Sequence, residues 1–260
     1  MGGSVMTLAI VIHVPEGVVM ASDSRQSIAI EGKTPDGKDL PKIDIVNSDN
    51  VYKTYLLSRK DRNDQPIFEV GISSYGQDLL GGISIASHIK RFAEEALTDG
   101  DDVTTIPKKL VEFFRKNFPN ADTGFHVAGY KKEGKISIPH VYLCHVAQNI
   151  FNDRKNVKPD GSLTHGVTWS GQIDVISGIF QPSLFPGTEG KPLTMYKPPI
   201  IWDAMALQDA IDFSIFAIRT TIDTIRFQAR PKNVGGPIDV LVITPEGANW
   251  IQRKELKSYS

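Results

Sequence analysis

Two apolar runs near the start of the chain constrain its fold most. Leu8 to His13 and Val18 to Ser22 flank Pro15-Glu16-Gly17. β-rich runs around a Pro/Gly turn read as a hairpin. Both runs are apolar at consecutive rather than alternate positions, so both faces of the hairpin are covered. Strand signals return at Val51 to Leu57 and Pro66 to Ser73, around the charged turn 58–64. From about Tyr75 a helix is predicted, because Leu79, Ile83, Ala86, Ala93 and Leu97 step by three, four or seven. A second helix is predicted over 105–117, with Thr105 as cap, Pro107 in the first turn and Pro119-Asn120 as stop. Residues 124–130 and 135–143 form another hairpin pair, 151–166 read as a loop, and 167–171 precede a helix near Ile173 to Phe180. Five prolines and two glycines in 182–199 exclude a regular element there. The longest helix signal, Trp202 to about Arg226, carries Leu207, Ile211, Ile215, Ile218, Ile222 and Ile225 at steps of three or four. Strands at 238–243 and 250–251 surround Pro245-Glu246-Gly247. Residues 31–50 are turn chemistry with little to bury and read as an exposed excursion. Segregated runs of strands and helices predict an α+β fold with stacked sheets between helices, in a single domain.

Composition narrows the function. Lys plus Arg is 29 and Asp plus Glu is 30, for a net charge of -1, which argues against a strongly electropositive nucleic-acid binder. One cysteine, Cys144, excludes an internal disulfide framework and fits a reducing compartment. No apolar run reaches the ~18 residues of a membrane span. Residues 1–6 carry no basic region of a secretory signal. The expectation is a cytoplasmic protein with no nucleic-acid or membrane partner. Phosphate-loop, dinucleotide, H-E-x-x-H and G-x-S-x-G motifs are absent. His140, Cys144 and His145 cluster, but on a strand only His140 and Cys144 share a face, and two ligands make a poor zinc site. Neither metal nor cofactor is expected.

The informative segment is Thr7-Leu8-Ala9-Ile10-Val11-Ile12-His13, followed by Gly17-Val18-Val19-Met20-Ala21-Ser22-Asp23-Ser24-Arg25. It resembles the start of a proteasome β-type subunit, in which a threonine opens a strand and an Asp-Ser-Arg closes the hairpin. Later segments agree in order: Val51-Tyr52-Lys53-Thr54-Tyr55, Glu69-Val70-Gly71-Ile72-Ser73, Trp169-Ser170-Gly171, and Asn233-Val234-Gly235-Gly236-Pro237-Ile238-Asp239-Val240. The resemblance spans residues 7 to about 251 and is nearest to the bacterial proteasome-like Anbu proteins. It implies a four-layer αββα N-terminal nucleophile (Ntn) hydrolase fold, two antiparallel sheets between helical layers. It also implies a threonine peptidase working in a homo-oligomeric ring or helical stack on peptide or unfolded protein, with an ATPase or regulator as a further partner.

A threonine hydroxyl needs an adjacent base, and an N-terminal threonine carries one in its own α-amine, of pKa about 7.7–8.0. A lysine cation lowers that pKa and stabilises charge on the oxygen, and a carboxylate holds the lysine. By the resemblance, Thr7, Lys53 and Asp23 take these roles. Gly71 is the implied oxyanion donor, Ser170 and Gly171 position the amine, and Gln26, Glu69 and Ser73 bind substrate. Glu69 lies two residues before Gly71, so strand alternation puts both on one side, where a carboxylate favours a basic substrate side chain. Taken singly these residues have plainer readings: threonine is a common strand former, and lysine snorkels from strand edges.

Three departures from the pattern stand out. Thr7 is not the first residue, so 1–6 are read as a leader, tag or propeptide whose removal frees its amine. Lys33, Lys38 and Lys42 in the excursion compete with Lys53, which the strand-like context favours. Pro231 and Val234 stand where proteasome subunits carry an acid and a serine, with Asn233 beside them. A silent structural ring subunit and a non-proteolytic Ntn amidohydrolase remain alternative functions for the same fold.

Overall fold

The computed structural model describes residues 7–30, 32–40, 43–181, 183–185, 193–195 and 197–255. The opening hairpin forms as expected. β1 (Leu8–Val14) and β2 (Gly17–Ser22) pair antiparallel and are buried along their length. The excursion is not featureless: β3 (Gln26–Ile30) and β4 (Ile43–Ser48) make a two-stranded ribbon. Its apolar runs, Ile28-Ala29-Ile30 and Ile45-Val46, are short and separated by turn residues, so they carry no period-two signal. Ile28, Ile43, Ile45 and Val46 on it are exposed.

β5 (Thr54–Lys60) begins one residue after Lys53, and β6 (Pro66–Gly76) runs beyond its expected end. This displaces the predicted helix start. Gly81 and Gly82 adopt positive φ, 58° and 77°, in a turn between β7 (Leu79–Leu80) and β8 (Ile83–Ser84). Such backbone breaks a helix at little steric cost for glycine. α1 (Ile85–Glu95) starts only there, where Ser84 Oγ accepts the Ser87 amide at 3.2 Å. α2 (Ile106–Asn117) falls where predicted, but Thr105 does not cap it through its side chain; that hydroxyl donates to Asp101 Oδ1 at 2.9 Å.

β9 (Thr123–Glu133) and β10 (Ile136–His145) form the second hairpin. β11 (Ile150–Arg154) pairs with β10 inside the stretch expected to be a loop. β12 (Gly166–Gly171) leads into α3 (Asp174–Phe180). Within the proline-rich stretch, β13 (Ser183–Phe185) and β14 (Leu193–Met195) pair, while 182, 186–192 and 196 lie outside the described residues. α4 (Leu207–Phe227) follows a 3-10 turn at Trp202–Ala204. β15 (Asp239–Thr244) and β16 (Gly247–Gln252) close the chain.

Two five-stranded antiparallel sheets result, in the orders β12-β1-β2-β15-β16 and β11-β10-β9-β6-β5. Alternation along β1 sorts its residues between two cores. Leu8, Ile10 and Ile12 pack with Ile176 of α3 and Ile211 and Ile218 of α4. Val11 joins Met20, Leu241 and Ile243 of the first sheet and Ala128 and Val141 of the second. A third cluster joins Val70, Ile72, Phe125 and Val127 to Ile89 and Phe92 of α1 and Leu110 and Phe114 of α2.

Candidate active site

The apolar core between the sheets ends in a row of polar side chains. Ala9 of β1 pairs with Ser22 on one side and Ser170 on the other. Opposite them in the second sheet, Ser73 pairs with Thr54 and with His126. Hydroxyls bridge the gap: Ser22 Oγ lies 2.8 Å from Thr54 Oγ1, which lies 3.0 Å from Ser73 Oγ. Ser170 Oγ lies 3.0 Å from His126 Nε2. Continuing the alternation of β1, Thr7 falls on the face of Ala9 and Val11, one step beyond this row.

Asp23 and Lys53 meet at the same end, both wholly buried. Lys53 Nζ donates to Asp23 Oδ1 at 3.0 Å and to the Arg25 carbonyl at 2.5 Å. Asp23 Oδ1 also accepts the Leu8 amide at 3.0 Å, and Oδ2 accepts those of Arg25 (3.1 Å) and Gly235 (3.0 Å). A buried carboxylate with four donors is a fixed anchor, and a buried cation against it avoids the cost of an unpaired charge. At Gly235 a Cβ would lie 2.4 Å from the Arg25 guanidinium carbon, so a larger residue there would displace the Arg25 side chain. Arg25 in turn forks onto Asp49 at 2.5 and 2.8 Å. Lys53 is thus the lysine brought to Asp23. Lys33 and Lys38 are exposed and pair with Asp39 and Asp36; Lys42 lies outside the described residues.

Thr7 is buried, and its Oγ1 has no hydrogen-bond partner among the described residues. Its carbonyl accepts the Gln172 amide at 2.7 Å. Gly171, at φ 95°, passes so close that a Cβ would lie 1.8 Å from that carbonyl oxygen. This position therefore demands glycine on two counts, conformation and approach. Gly171 is accordingly against Thr7, and Ser170 precedes it in β12.

Gly71 is not. A Cβ there would lie 2.3 Å from Met20 Sδ and 2.9 Å from Ile243 Cδ1, in the core between the sheets. Met20 pairs with Val11, four residues along the strand from Thr7, or roughly 13 Å. Gly71 also lies within unbroken ladders to β5 and β9, which commit its amide. Its role is to let the sheets approach, and the expected oxyanion role is withdrawn. Glu69 is further away still. Its Oε2 accepts the Ala248 amide at 2.8 Å, tying β6 to the β15–β16 turn. Ala248 pairs with Ile243, Ile243 with Val18, and Val18 with His13, roughly 20 Å from Thr7. The cavity that Glu69 lines, with Phe68, Tyr130 and Glu246, lies at that far end of β6 and not at Thr7. The misplacement came from anchoring β6 on its glycine, whereas residues 73–75 reach the Thr7 level. Ser73 is there, but its hydroxyl is engaged with Thr54. Gln26 is buried beside Arg25 and accepts from Asn47 Nδ2 at 2.7 Å.

Sequence reasoning missed several neighbours. His126 is wholly buried, and burial pushes its pKa down to about 3, with the Lys155 charge adding to the effect. The Tyr75 ring lies 5.3 Å from it, over Gly124, where a Cβ would lie 2.1 Å from the ring. Asp78 is raised to about 6, chiefly by burial and against the pull of Lys53. A second buried pair, Lys254 with Asp239, also reaches Ser24 Oγ at 2.8 Å. The signal for His126 was the pattern Gly124, His126, Ala128 against Phe125 and Val127: a histidine on the small-residue face of a strand.

This arrangement is the proteasome-like fold. The structural neighbours of the chain are Anbu proteins. A Gly-1 mutant of Anbu from Hyphomicrobium sp. strain MC1 aligns with 95% of this chain and 86% of its own, at 14% identity and a TM-score of 0.57. Anbu (ancestral β-subunit) from Yersinia bercovieri aligns with 94% of this chain and 86% of its own, at 13% identity and a TM-score of 0.53. No family model and no curated protein matches the sequence. No helix among the described residues is long and apolar enough to cross a membrane.

Proposed function

We propose that the chain is a threonine-type peptidase subunit of a self-compartmentalising, proteasome-like assembly. In this reading residues 7–260 form one Ntn-hydrolase domain of four layers, αββα. Residues 1–6 are removed to free the Thr7 amine. The three apolar clusters, one between the sheets and one under each pair of helices, support the layering. The observation that carries the chemistry is the buried Asp23–Lys53 pair at the Thr7 end of β1, beside a threonine oxygen with no partner among the described residues. The freed amine accepts the Thr7 hydroxyl proton, Lys53 stabilises the resulting charge, and the oxygen attacks an amide carbonyl. The amide C–N bond breaks as the leaving amine takes the proton held by the Thr7 ammonium, and the Thr7 amine then deprotonates the water that cleaves the Thr7 ester and releases the acid. Confinement of the nucleophile in a homo-oligomer fits the Yersinia bercovieri neighbour, which is named a β-subunit. A cytoplasmic location fits the lone Cys144, which is buried.

The test is turnover by protein whose intact mass gives Thr7 as the first residue. Thr7→Ala should abolish hydrolysis of fluorogenic peptides and leave the fold intact, because it deletes a hydroxyl that makes no hydrogen bond to the described residues. Full activity of Thr7→Ala in such a preparation would remove the peptidase reading. The complete burial of Thr7 favours one second reading, a silent structural subunit that keeps residues 1–6. A retained leader in purified assemblies would select it.

A further inference from the structure

We propose that His126 is a positioning residue that sets Ser170 as a hydrogen-bond acceptor facing the Thr7 amine. The inference rests on the hydrolase reading above and deepens it. Its basis is a buried histidine with one permitted tautomer. Ser170 Oγ lies 3.0 Å from His126 Nε2. The neighbouring Tyr75 hydroxyl lies 3.2 Å from the Cys144 carbonyl, which can only accept, so Tyr75 donates to it.

The other ring nitrogen fixes the tautomer. His126 Nδ1 is buried with no partner among the described residues. A buried N–H without an acceptor is rarer and costlier than a lone pair without a donor, so Nδ1 carries the lone pair, Nε2 carries the proton, and Ser170 Oγ accepts it. Burial holds His126 neutral and, at about 12, keeps the Tyr75 phenol protonated. One Ser170 lone pair remains. Ser170 pairs with Ala9, which puts it diagonal to Thr7 across β1 and β12. There it accepts an N–H of the freed amine and turns the amine lone pair toward Thr7 Oγ1. The ionisable groups around these residues are Tyr75 from β6, Cys144 and His145 from β10, the latter with its ring 6.4 Å from that of Tyr75, and, at longer range, Asp122, Asp153 and Lys155. Lys53, Asp23 and Asp78 flank the Thr7 side.

Two arms test the proposal. The first reads the tautomer without activity, from side-chain nitrogen-15 spectra of the parent at pH 7. The Nε2–H pattern is expected, with its resonance moved by Ser170→Ala; an Nδ1–H or doubly protonated ring would overturn the proposal. The second compares His126→Leu and His126→Gln in protein beginning at Thr7. Leucine should lower kcat at least tenfold with KM unchanged. It should also move the rising limb of the kcat/KM pH profile to lower pH, because a released Ser170 no longer favours the ammonium form. Glutamine, which restores an N–H donor, should recover much of both. An unchanged pH limb in folded His126→Leu, or glutamine no better than leucine, would sink it. A parent that turns over no peptide would instead count against the hydrolase reading, which the spectra do not depend on.

Discussion

Asp23 is the residue on which the site hangs. Its two oxygens take four donors, one of them the Lys53 cation and three of them backbone amides from separate segments. Asp23→Asn would turn an NH2 against two of those donors and strand the buried Lys53 charge. A broken buried pair costs about 3–5 kcal/mol, so urea unfolding of Asp23→Asn should show a loss in that range. A loss below about 1 kcal/mol would mean that the pair is not the anchor described. Thr7, Asp23 and Lys53 were singled out through the resemblance of residues 7–25 and 51–55 to a proteasome β-type subunit, and the fold brings Lys53 to Asp23 at the Thr7 end of β1. The grouping of Tyr75, Ser170 and His126 was not legible in the sequence, since its members come from three strands that only the sheet register brings together. Gly71 misled for a physical reason: glycine permits close approach of a substrate or of another sheet, and here it is the sheet, through Met20 and Ile243.

At the scale of elements, β6 spans the molecule from the Glu69 tie to the Tyr75 level. Glu69 holds the β15–β16 turn through the Ala248 amide. A hydrogen bond to a charged group contributes about 1.5–3 kcal/mol, discounted here because Glu69 is only part-buried. Glu69→Ala should therefore cost about 1 kcal/mol and leave the ratio of basic to acidic peptide turnover unchanged. A shift in that ratio would restore Glu69 to a substrate pocket. The hairpins and α2 were legible from turn residues and periodicity. The start of α1 was not, because Leu79 and Ile83 continue the helical spacing across Gly81-Gly82, and both are exposed on the β7–β8 turn. β11 was hidden by its polar composition, which suits the edge of a sheet.

Among the described residues, burial holds His13, His126 and His140 in the neutral form. Burial is the leading cause in each, lowering His13 and His140 to about 4 and His126 to about 3. Below the ordinary value of about 6.5 the unfolded chain binds protons that the folded chain refuses, so stability falls with pH by about 1.4 kcal/mol per unit for each. Asp78, raised to about 6 by burial, runs the other way and recovers one such increment as pH falls through 6. Between pH 6 and 5 the net slope should approach two protons, or roughly 3 kcal/mol per unit. Urea titrations at pH 7, 6 and 5 check this, and equal stability at all three would contradict the buried, neutral histidines. In the proposed function, removal of residues 1–6 uncovers the buried Thr7 as nucleophile, and capture of that nucleophile tests the proposal most directly. Protein shown by intact mass to begin at Thr7 is treated with an electrophilic peptide probe and mapped by peptide mass. The account predicts one adduct on the Thr7 peptide, lost in Thr7→Ala and retained in Lys38→Ala. An adduct on another residue, or none on a proven Thr7 terminus, would contradict it.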